Sequence, residues 1–308
     1  MFNHSNHFLL LFLVLNFFLN GFLGAQENGF IEDCVNGTPV SYALITWDGN
    51  RKGVYSNEEG EYPVDNIKIG DTLRVQHLSY KNKITTITQP DDYRIALIPD
   101  SNYLEMITVT TSKAKTKYVR RKFKKKGIYS GGSKDFNRMI GRKWIPPVSG
   151  EVQVSEVKVY ISNRGVPHTP FRLRILKNTK DTLEDLLLQD HIHHAKRGNR
   201  WTTVSIKEIL LVNEPIWVVI EWLNTGESEF QYDFSFRENG EKRSRIGYGQ
   251  SIGLTDQQEH DAVIMKSENS DWIYSWFKNP ISRHQKPKIP MIKIGYKEFG
   301  DESKAENQ

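Results

Sequence analysis

The sequence predicts an all-β protein made of two β-sandwich domains that are joined by a basic linker. Short apolar or β-branched runs, separated by Gly, Asn and Asp, recur along most of the chain, which is typical of strands connected by turns. No long run has the apolar spacing of a helix. One dense basic tract divides these runs into two blocks, and 308 residues suffice for two domains of ordinary size.

The first 25 residues are predicted to be a cleaved export signal. They contain no Asp, Glu, Lys or Arg, and Phe8–Leu15 is an unbroken apolar run. The segment ends in Leu23-Gly24-Ala25, whose small residues suit signal peptidase, so the mature chain is expected to begin at Gln26. A retained membrane anchor is the alternative, although Asn16 and Asn20 would lie poorly inside a bilayer.

Residues 26–112 form the first predicted domain. Its run at Val40–Trp47 is apolar on both faces, which predicts a central strand. Cys34 is the only cysteine, which excludes an internal disulfide, and it is predicted to be a small buried strand residue. The predicted strands are Phe30–Val35, Val40–Trp47, Gly53–Tyr55, Glu61–Val64, Thr72–Leu78, Lys83–Thr88, Tyr93–Ile98 and Met106–Thr111.

Residues 113–140 are predicted to be a basic linker. Repulsion among its like charges predicts an extended or mobile segment, and Tyr118 and Phe123 are too few to stack a series of bases, so nucleic acid is not an expected partner. An anionic surface, either lipid head groups or acidic polysaccharide, is the candidate partner, and linker solubility is the alternative role. The candidate contact residues are Lys113, Lys115, Lys117, Arg120, Arg121, Lys122, Lys124, Lys125 and Lys126.

Residues 141–297 form the second predicted domain, a jelly-roll-like sandwich, and residues 298–308 are predicted to be a disordered tail. Thr182–Leu187 is predicted to form one short helical turn, because Leu183, Leu186 and Leu187 would share a side. The predicted strands are Val152–Ile161, Phe171–Leu176, Trp201–Ile206, Ile216–Trp222, Phe230–Phe236, Asp261–Met265, Trp272–Phe277 and Met291–Tyr296.

The order of turn residues in the first block carries a family resemblance. The motifs are Asn36-Gly37-Thr38-Pro39-Val40, Gly53-x-Tyr55, Gly60-x-Tyr62, Gly70-Asp71-x-Leu73 and Leu78-Ser79-Tyr80. Together they resemble the carboxypeptidase-like regulatory domain, a transthyretin-like seven-stranded sandwich. The resemblance implies a module without catalytic residues, found beside zinc peptidases and in exported proteins of bacteria with two membranes. The second block looks like the partner domain of such exported proteins, and that likeness names no activity. The motifs that carry it are Gly141-Arg142-x-Trp144, Pro170–Ile175, Glu184–Leu187 and Val218–Trp222.

Candidate reactive groups are few. The sequence contains no His-x-x-Glu zinc motif and no P-loop, and its Gly-x-Ser-x-Gly match at Gly249–Gly253 lies in an all-β block without the helix that a nucleophile elbow requires. Neither a catalytic residue nor a cofactor is therefore predicted. His191 and His193 would share one face of a strand and are a candidate metal pair, with His168 or His260 as a third ligand. A solvated loop is the alternative, because the neighbouring Lys and Arg residues oppose a cation.

An aromatic stripe gives the second candidate site. Trp272, Tyr274 and Trp276 alternate, so on a strand their rings would form a platform for a sugar, with core packing as the alternative. The sequence therefore predicts a non-catalytic, exported binding and scaffolding protein of the cell envelope, located in the periplasm or at the outer membrane or cell surface. Its expected partner is an envelope protein or a polysaccharide. The alternative is a carbohydrate-binding or hydrolytic accessory protein that uses the aromatic platform.

Overall fold

The computed structural model describes residues 28–100, 115–119, 121–130, 136–179, 182–238, 240–256, 262–266, 272–274 and 288–298. The regular structure of these residues is strand, apart from short 3-10 turns at Pro90–Tyr93 and Ser228–Phe230. The predicted all-β class is confirmed. Nowhere in this described part is a helix long and apolar enough to cross a membrane. The predicted signal and the predicted strand Met106–Thr111 lie outside the described residues.

In the residues that the structure describes, the first sandwich contains seven strands in two sheets. They are β1 (Asn28–Asp33), β2 (Leu44–Trp47), β3 (Lys52–Tyr55), β4 (Glu61–Pro63), β5 (Thr72–His77), β6 (Tyr80–Thr86) and β7 (Arg94–Leu97). One sheet has the order β4-β1-β7, with β1 parallel to β7, and the other has the order β3-β2-β5-β6. Ile31, Ile45, Leu73 and Leu97 are fully buried in the core of this sandwich.

Strand β2 is central, as its two apolar faces predict, but it begins only at Leu44. The cause is Tyr42, whose φ of 58° lies in the left-handed region that a bulky side chain rarely adopts. The carbonyl of Tyr42 accepts a hydrogen bond of 2.8 Å from Nη2 of Arg172, which belongs to the second sandwich. A contact between the sandwiches therefore holds a strained backbone position.

The end of β1 differs from the sequence-based expectation. Cys34, predicted to be buried in a strand, is exposed. Oδ1 of Asp33 accepts the backbone N–H of Val35 at 2.7 Å and turns the chain out of the sheet at this point. The next predicted turn does form, with Gly60 at a φ of 80°, where a Cβ would lie 2.7 Å from the carbonyl oxygen of Ile31.

The second sandwich and an attached hairpin contain the remaining strands. They are β8 (Lys117–Tyr118), β9 (Gly127–Ser130), β10 (Arg138–Trp144), β11 (Val152–Gly165), β12 (Phe171–Thr179), β13 (Thr182–Asp185), β14 (His191–His193), β15 (Arg200–Val212), β16 (Ile216–Trp222), β17 (Gln231–Glu238), β18 (Glu241–Tyr248), β19 (Gln250–Asp256), β20 (Val263–Lys266), β21 (Ile273–Tyr274), β22 (Lys288–Pro290) and β23 (Ile292–Glu298).

Two sheets build this sandwich. The interface sheet has the order β13-β12-β16-β10-β20-β21, with β14 also beside β12. The far sheet has the order β22-β19-β11-β23-β8, with β15 beside β11 and β9 beside β19. Val218 and Ile220 from β16 share one fully buried core with Val157 and Val159 from β11, so the two sheets pack face to face. The jelly-roll topology of this sandwich stays a prediction.

The described parts of the predicted linker run along the second sandwich. Strand β8 pairs with β23, and strand β9 pairs with β19. Phe123 lies edge-on to Trp201, with 5.3 Å between ring centroids. The side chains of Lys122 and Lys124 are exposed. Backbone pairing and aromatic contacts, including one between Tyr129 and Trp222 at 5.7 Å, therefore anchor the tract, while the exposed lysines face solvent.

The segment Thr182–Leu187 does not form the predicted helical turn. Its first four residues are strand β13, which pairs with β12. Asp185 accepts a hydrogen bond of 2.7 Å from Nε of Arg174, and Leu187 is buried in the core. Pairing with a neighbouring strand and this ion pair outweigh the local apolar spacing, which is a weak signal over six residues.

Candidate functional site

The two sandwiches meet at a polar cleft with a volume of about 420 Å³. The first sandwich lines it with residues of β2, β5 and β6, among them Leu44, His77 and Tyr80. The second sandwich lines it with the outer face of the interface sheet, including Arg174 and Glu221. We regard this cleft and the buried charges beside it as the candidate functional site.

Strand alternation explains why charges occur on this face of the interface sheet. In β12, Phe171 and Leu173 point into the core, so Arg172 and its i+2 neighbour Arg174 point outward. Glu221 of β16 lies directly opposite Arg172 in the strand register. The same alternation that builds the core of the second sandwich therefore presents three charged residues to the first sandwich.

The buried charges form a closed ionic network. Arg172 donates two hydrogen bonds to Asp190, from Nε to Oδ1 at 2.6 Å and from Nη2 to Oδ2 at 2.8 Å. Arg174 donates to Asp185, and both arginines approach Oε2 of Glu221, at 3.4 Å and 3.9 Å. Since all five side chains are largely buried, each charge depends on its partners in the network.

Side chains of the first sandwich complete this network. The hydroxyl of Tyr55 donates to Oε1 of Glu221 at 2.5 Å, and Nε2 of His77 lies 3.3 Å from Oδ2 of Asp190. Burial, and next the charge of Glu221, raise the pKa of Tyr55 well above its ordinary value, so the hydroxyl remains a donor at neutral pH. With the Arg172 contact at Tyr42, the network joins the sandwiches at three points.

The pKa values of the two aspartates in the network are shifted in opposite directions. Burial alone would raise the pKa of Asp190, but Arg172 and His77 together lower it well below its ordinary value. Burial raises the pKa of Asp185, and the charge of Arg174 offsets only part of that rise. Asp190 is therefore the carboxylate whose ionisation the folded state favours.

An apolar seam lies beside the charges. Tyr42, Tyr55, Phe136 and Leu223 form one buried cluster that includes residues of both sandwiches. Phe136 packs directly over β3, where a Cβ at Gly53 would come within 2.5 Å of the Phe136 ring. The glycine thus leaves the space that this ring occupies, and burial of the seam adds hydrophobic stabilisation to the ionic contacts.

A backbone hydrogen bond also crosses the interface. The N–H of Tyr55 donates to the carbonyl of Asn224 at 2.9 Å. Combined with the apolar seam and the ionic network, this bond can fix the orientation of the first sandwich relative to the second. In chemical terms the arrangement is suited to holding two modules together.

The predicted metal pair lies on β14, whose intervening residue Ile192 packs against the apolar seam. His191 is buried and its Nε2 is 2.9 Å from Oε1 of Glu208, while the ring of His193 stacks on it with 6.3 Å between centroids. In the described ranges, no group of three His, Cys, Asp or Glu side chains is arranged to hold a metal ion. His260, a suggested third ligand, lies outside those ranges. The metal pair stays a prediction.

His193 gives a pH-dependent prediction. Burial, and next His191 and His194, lower the pKa of His193 to about 4, against an ordinary value of 6.5. Between these values the unfolded chain takes up a proton that the folded chain does not, so stability should fall as pH drops from 6.5 to 4. We expect His193→Asn to reduce this loss in Tm measured against pH. The exposed His168→Asn, at a residue that is not among those shifting the pKa of His193, is the control, and an unaltered slope of Tm against pH in the His193 variant would contradict the prediction.

The predicted aromatic platform is only partly described. Trp272 is half-buried and packs on an outer-face apolar cluster that includes Trp217. Nζ of Lys266 lies 5.5 Å from the centroid of the Trp272 ring. The side chain of Tyr274 and all of Trp276 lie outside what the structure describes. A sugar platform at these three positions stays a prediction.

The predicted anionic-surface residues are partly engaged by the second sandwich. Lys117 is paired with Glu298, and Lys126 approaches Asp256 to 4.0 Å. Two of the nine lie outside the described residues, Lys113 and Arg120. Four others have exposed side chains, and these are Lys115, Lys122, Lys124 and Lys125. Binding of an anionic surface by this tract stays a prediction.

A family model matches the first sandwich. The model of the CarboxypepD_reg-like domain covers residues 28–117, which include all of β1 to β7. The first sandwich is a CarboxypepD_reg-like domain. The resemblance in its turn motifs is thereby confirmed, and this family is a non-catalytic regulatory or binding module. The match does not extend over the second sandwich. Searches of the curated proteins and of the solved structures found no match.

The interface network was not among the sites predicted from the sequence. Its signal is present, because Arg172, Arg174 and Glu221 each interrupt a strand that is otherwise apolar. A charge at an alternate position of such a strand indicates that the outer face of the sheet contacts something polar. The pattern does not show that the contact is another part of the same chain.

Proposed function

We propose that this protein is a non-catalytic, exported binding and scaffolding protein of the cell envelope. The observation that carries the proposal is the interface between its CarboxypepD_reg-like domain and its second sandwich. Buried charges, an apolar seam and a backbone hydrogen bond join the two, so the surfaces of both modules are held in one relative orientation. A fixed orientation suits a protein that brings partners together.

The use of titratable groups at the interface supports a role without catalysis. A catalytic acid or base must reach an atom of its substrate. In this network Arg172 is bound to Asp190, and Glu221 accepts the hydroxyl of Tyr55. These groups bind one another, and the perturbed pKa values of Tyr55 and Asp190 follow from burial and from this mutual pairing.

Export is supported by the N-terminal sequence. The uncharged, apolar start of the chain and its small residues before Gln26 match a secretory signal. The location that we propose is the periplasm or the outer membrane or cell surface of a bacterium with two membranes, where the CarboxypepD_reg-like domain docks an envelope protein.

Measurements on cells and on the purified protein test this proposal. Fractionation of cells expressing the full chain is expected to place the protein with the envelope, and the intact mass is expected to show cleavage between Ala25 and Gln26. Crosslinking in living cells, followed by capture, is expected to recover the same envelope protein with the full chain and with a shortened chain of residues 1–117, which keeps the predicted signal and the matched domain. Retention in the cytoplasm with an uncleaved N-terminus would overturn export, and turnover of an envelope substrate by the purified protein would overturn the non-catalytic assignment.

A further inference from the structure

The basic tract between β8 and β9 lies against the far sheet of the second sandwich. Strand β8 pairs with β23 and strand β9 pairs with β19, so both ends of the tract are fixed to this sheet. Between them the ring of Phe123 contacts Trp201, while Lys122 and Lys124 on either side of Phe123 are exposed. The tract therefore directs one ring at the sheet and two lysines at solvent.

Strand alternation gives the far sheet an outer face that carries rings and a lysine. Val159 and Ile161 of β11 lie in the core, so Tyr160 between them points outward. Trp201 of β15 lies directly opposite Tyr160 and shares its side of the sheet. Both neighbours of Lys293 in β23 are core residues, so Lys293 points outward as well.

The rings on this outer face are packed against one another and against ammonium groups. Tyr160 lies edge-on to Trp201, with 5.6 Å between ring centroids. Nζ of Lys293 lies 4.3 Å from the centroid of Trp201 and 5.5 Å from that of Phe123, and Nζ of Lys125 lies 5.6 Å from that of Tyr160. Because these contacts are to neutral rings, they hold the two lysines in place without cancelling their charges.

Four lysines on this side of the protein keep an uncompensated charge. We call this surface the basic face, defined by Lys122, Lys124, Lys125 and Lys293. In the described part of the chain, none of the four forms an ion pair with a carboxylate. The carboxylates of Glu156, Asp256 and Glu298, on the strands of the far sheet, are each 4.0 Å or less from another lysine.

A second acid-free segment adds positive charge beside the basic face. Residues 115–130 contain eight basic residues and no acid, and residues 191–207 contain four basic residues and no acid. The two segments meet where Nζ of Lys125 donates to Oδ1 of Asn199 at 3.2 Å. Arg197 and Arg200 lie within two residues of Asn199, and both are exposed. Together these charges produce a positive electrostatic potential over this side of the second sandwich.

The form of the basic face indicates a planar anion. Nucleic acids and sugars stack on the faces of exposed rings, whereas Phe123, Tyr160 and Trp201 are half-buried and packed against their neighbours. Lysine is a point charge that does not require the paired geometry of a guanidinium. Its outermost members, Lys122 and Lys124, project from a segment that lies on the face of a sheet. Exposed ammonium groups of this kind suit the head groups of a bilayer.

We propose that the basic face binds an anionic phospholipid bilayer. The first sandwich packs on the interface sheet, which is the opposite side of the second sandwich. A bilayer at the basic face therefore leaves the CarboxypepD_reg-like domain directed away from the membrane, where a partner protein can reach it. The inference deepens the proposed function, because it rests on the binding role and names a surface to which the scaffold attaches.

The test measures partitioning of the purified full chain onto vesicles by sedimentation. One set of vesicles contains phosphatidylglycerol and phosphatidylcholine, and the other contains phosphatidylcholine alone. The ratio of the two partition coefficients cancels the contribution of the apolar first 25 residues, which contain no Lys or Arg. The variant combines Lys122→Gln with Lys124→Gln. Its control combines Lys68→Gln with Arg74→Gln, which removes the same charge from exposed residues of the first sandwich, and circular dichroism checks folding.

We expect the ratio to exceed one clearly and to fall as salt is added. The Lys122 and Lys124 variant should lower the ratio about thirtyfold, which is about fivefold for each lysine at an anionic surface. The control should lower it less than about twofold. Cys34, the single cysteine, is exposed on the first sandwich, so a water-soluble maleimide should label it at the same rate with and without vesicles.

Several results would overturn the inference. A ratio near one, or equal losses in the variant and its control, would show that the basic face does not bind the bilayer. Slower labelling of Cys34 on vesicles would show that the first sandwich faces the membrane. Tighter binding of oligogalacturonate or oligothymidylate than of vesicles, at the same concentration of anionic groups, would assign the face to that polymer. Because the protein is purified, these failures leave export and partner capture in cells untouched, and failure of export leaves this result untouched.

Discussion

Replacing Arg172 by methionine is expected to lower the free energy of unfolding by about 3–5 kcal/mol, because it leaves buried carboxylates without their compensating charge. Asp190 loses two hydrogen bonds, Glu221 loses its nearer arginine, and the carbonyl of Tyr42 loses its donor. Urea unfolding, followed by tryptophan fluorescence and circular dichroism, measures the change. A loss below about 1 kcal/mol would show that the network contributes little.

The same strand provides the control. Lys177 of β12 is paired with Glu214 at 2.7 Å, and both side chains are close to half exposed. Exposed ion pairs contribute little, so Lys177→Met should cost less than about 1 kcal/mol. Adding Asp190→Asn and Glu221→Gln to the Arg172 variant should recover part of its loss, because the uncompensated charges are then removed.

Acid titration separates the charge effect from packing. The pKa of Asp190 is lowered in the folded state, so its contribution is present above the ordinary value of 3.8 and is lost as pH falls below it. In the Arg172 variant, ionised Asp190 no longer has Arg172 beside it, so it makes no such contribution to stability at neutral pH. The difference in stability between the two proteins should therefore shrink as pH falls from 4 to 2.

Much of the fold follows from local sequence patterns. Strand β16 has the predicted bounds Ile216–Trp222, because a short run that is apolar apart from Glu221 is typical of a strand buried on both faces. The turn at Gly60 was predictable because its backbone requires glycine. Errors occurred where a tertiary contact overrides a local preference, as at Tyr42, whose strained backbone meets Arg172, and at Asp185, whose ion pair accompanies a strand in place of a helical turn.

The candidate site was less predictable than the fold. Tyr42 and Arg172 are separated by 130 residues in the chain, and Tyr55 and Glu221 by 166. Strand alternation shows which side chains point away from the core, but it does not show which part of the protein covers them. The network also depends on Asp190, which lies outside the regular strands. The sequence therefore indicates which charged residues face outward, but only the packing of the two sandwiches determines which residues they pair with.

The apolar seam gives the second large effect. Phe136 is 3% exposed and lies over Gly53 of the first sandwich, so Phe136→Ala opens a cavity between the sandwiches. Truncation of a buried phenylalanine to alanine costs about 3–5 kcal/mol. Ile84→Ala, which truncates a side chain that is 67% exposed on the first sandwich, should change stability by less than about 0.5 kcal/mol and is the control.

Hydrogen exchange shows whether the stability lost in Phe136→Ala is lost at the interface between the sandwiches. The N–H of Tyr55 is bonded to the carbonyl of Asn224 across the seam. Amide protons are protected to the extent that local opening costs free energy, so this N–H should exchange faster in the variant. The N–H of Val75, paired within the first sandwich, should change less. Equal acceleration at both positions would mean that Phe136 stabilises the first sandwich as a whole, and an unchanged rate at Tyr55 would mean that the seam does not join the two sandwiches.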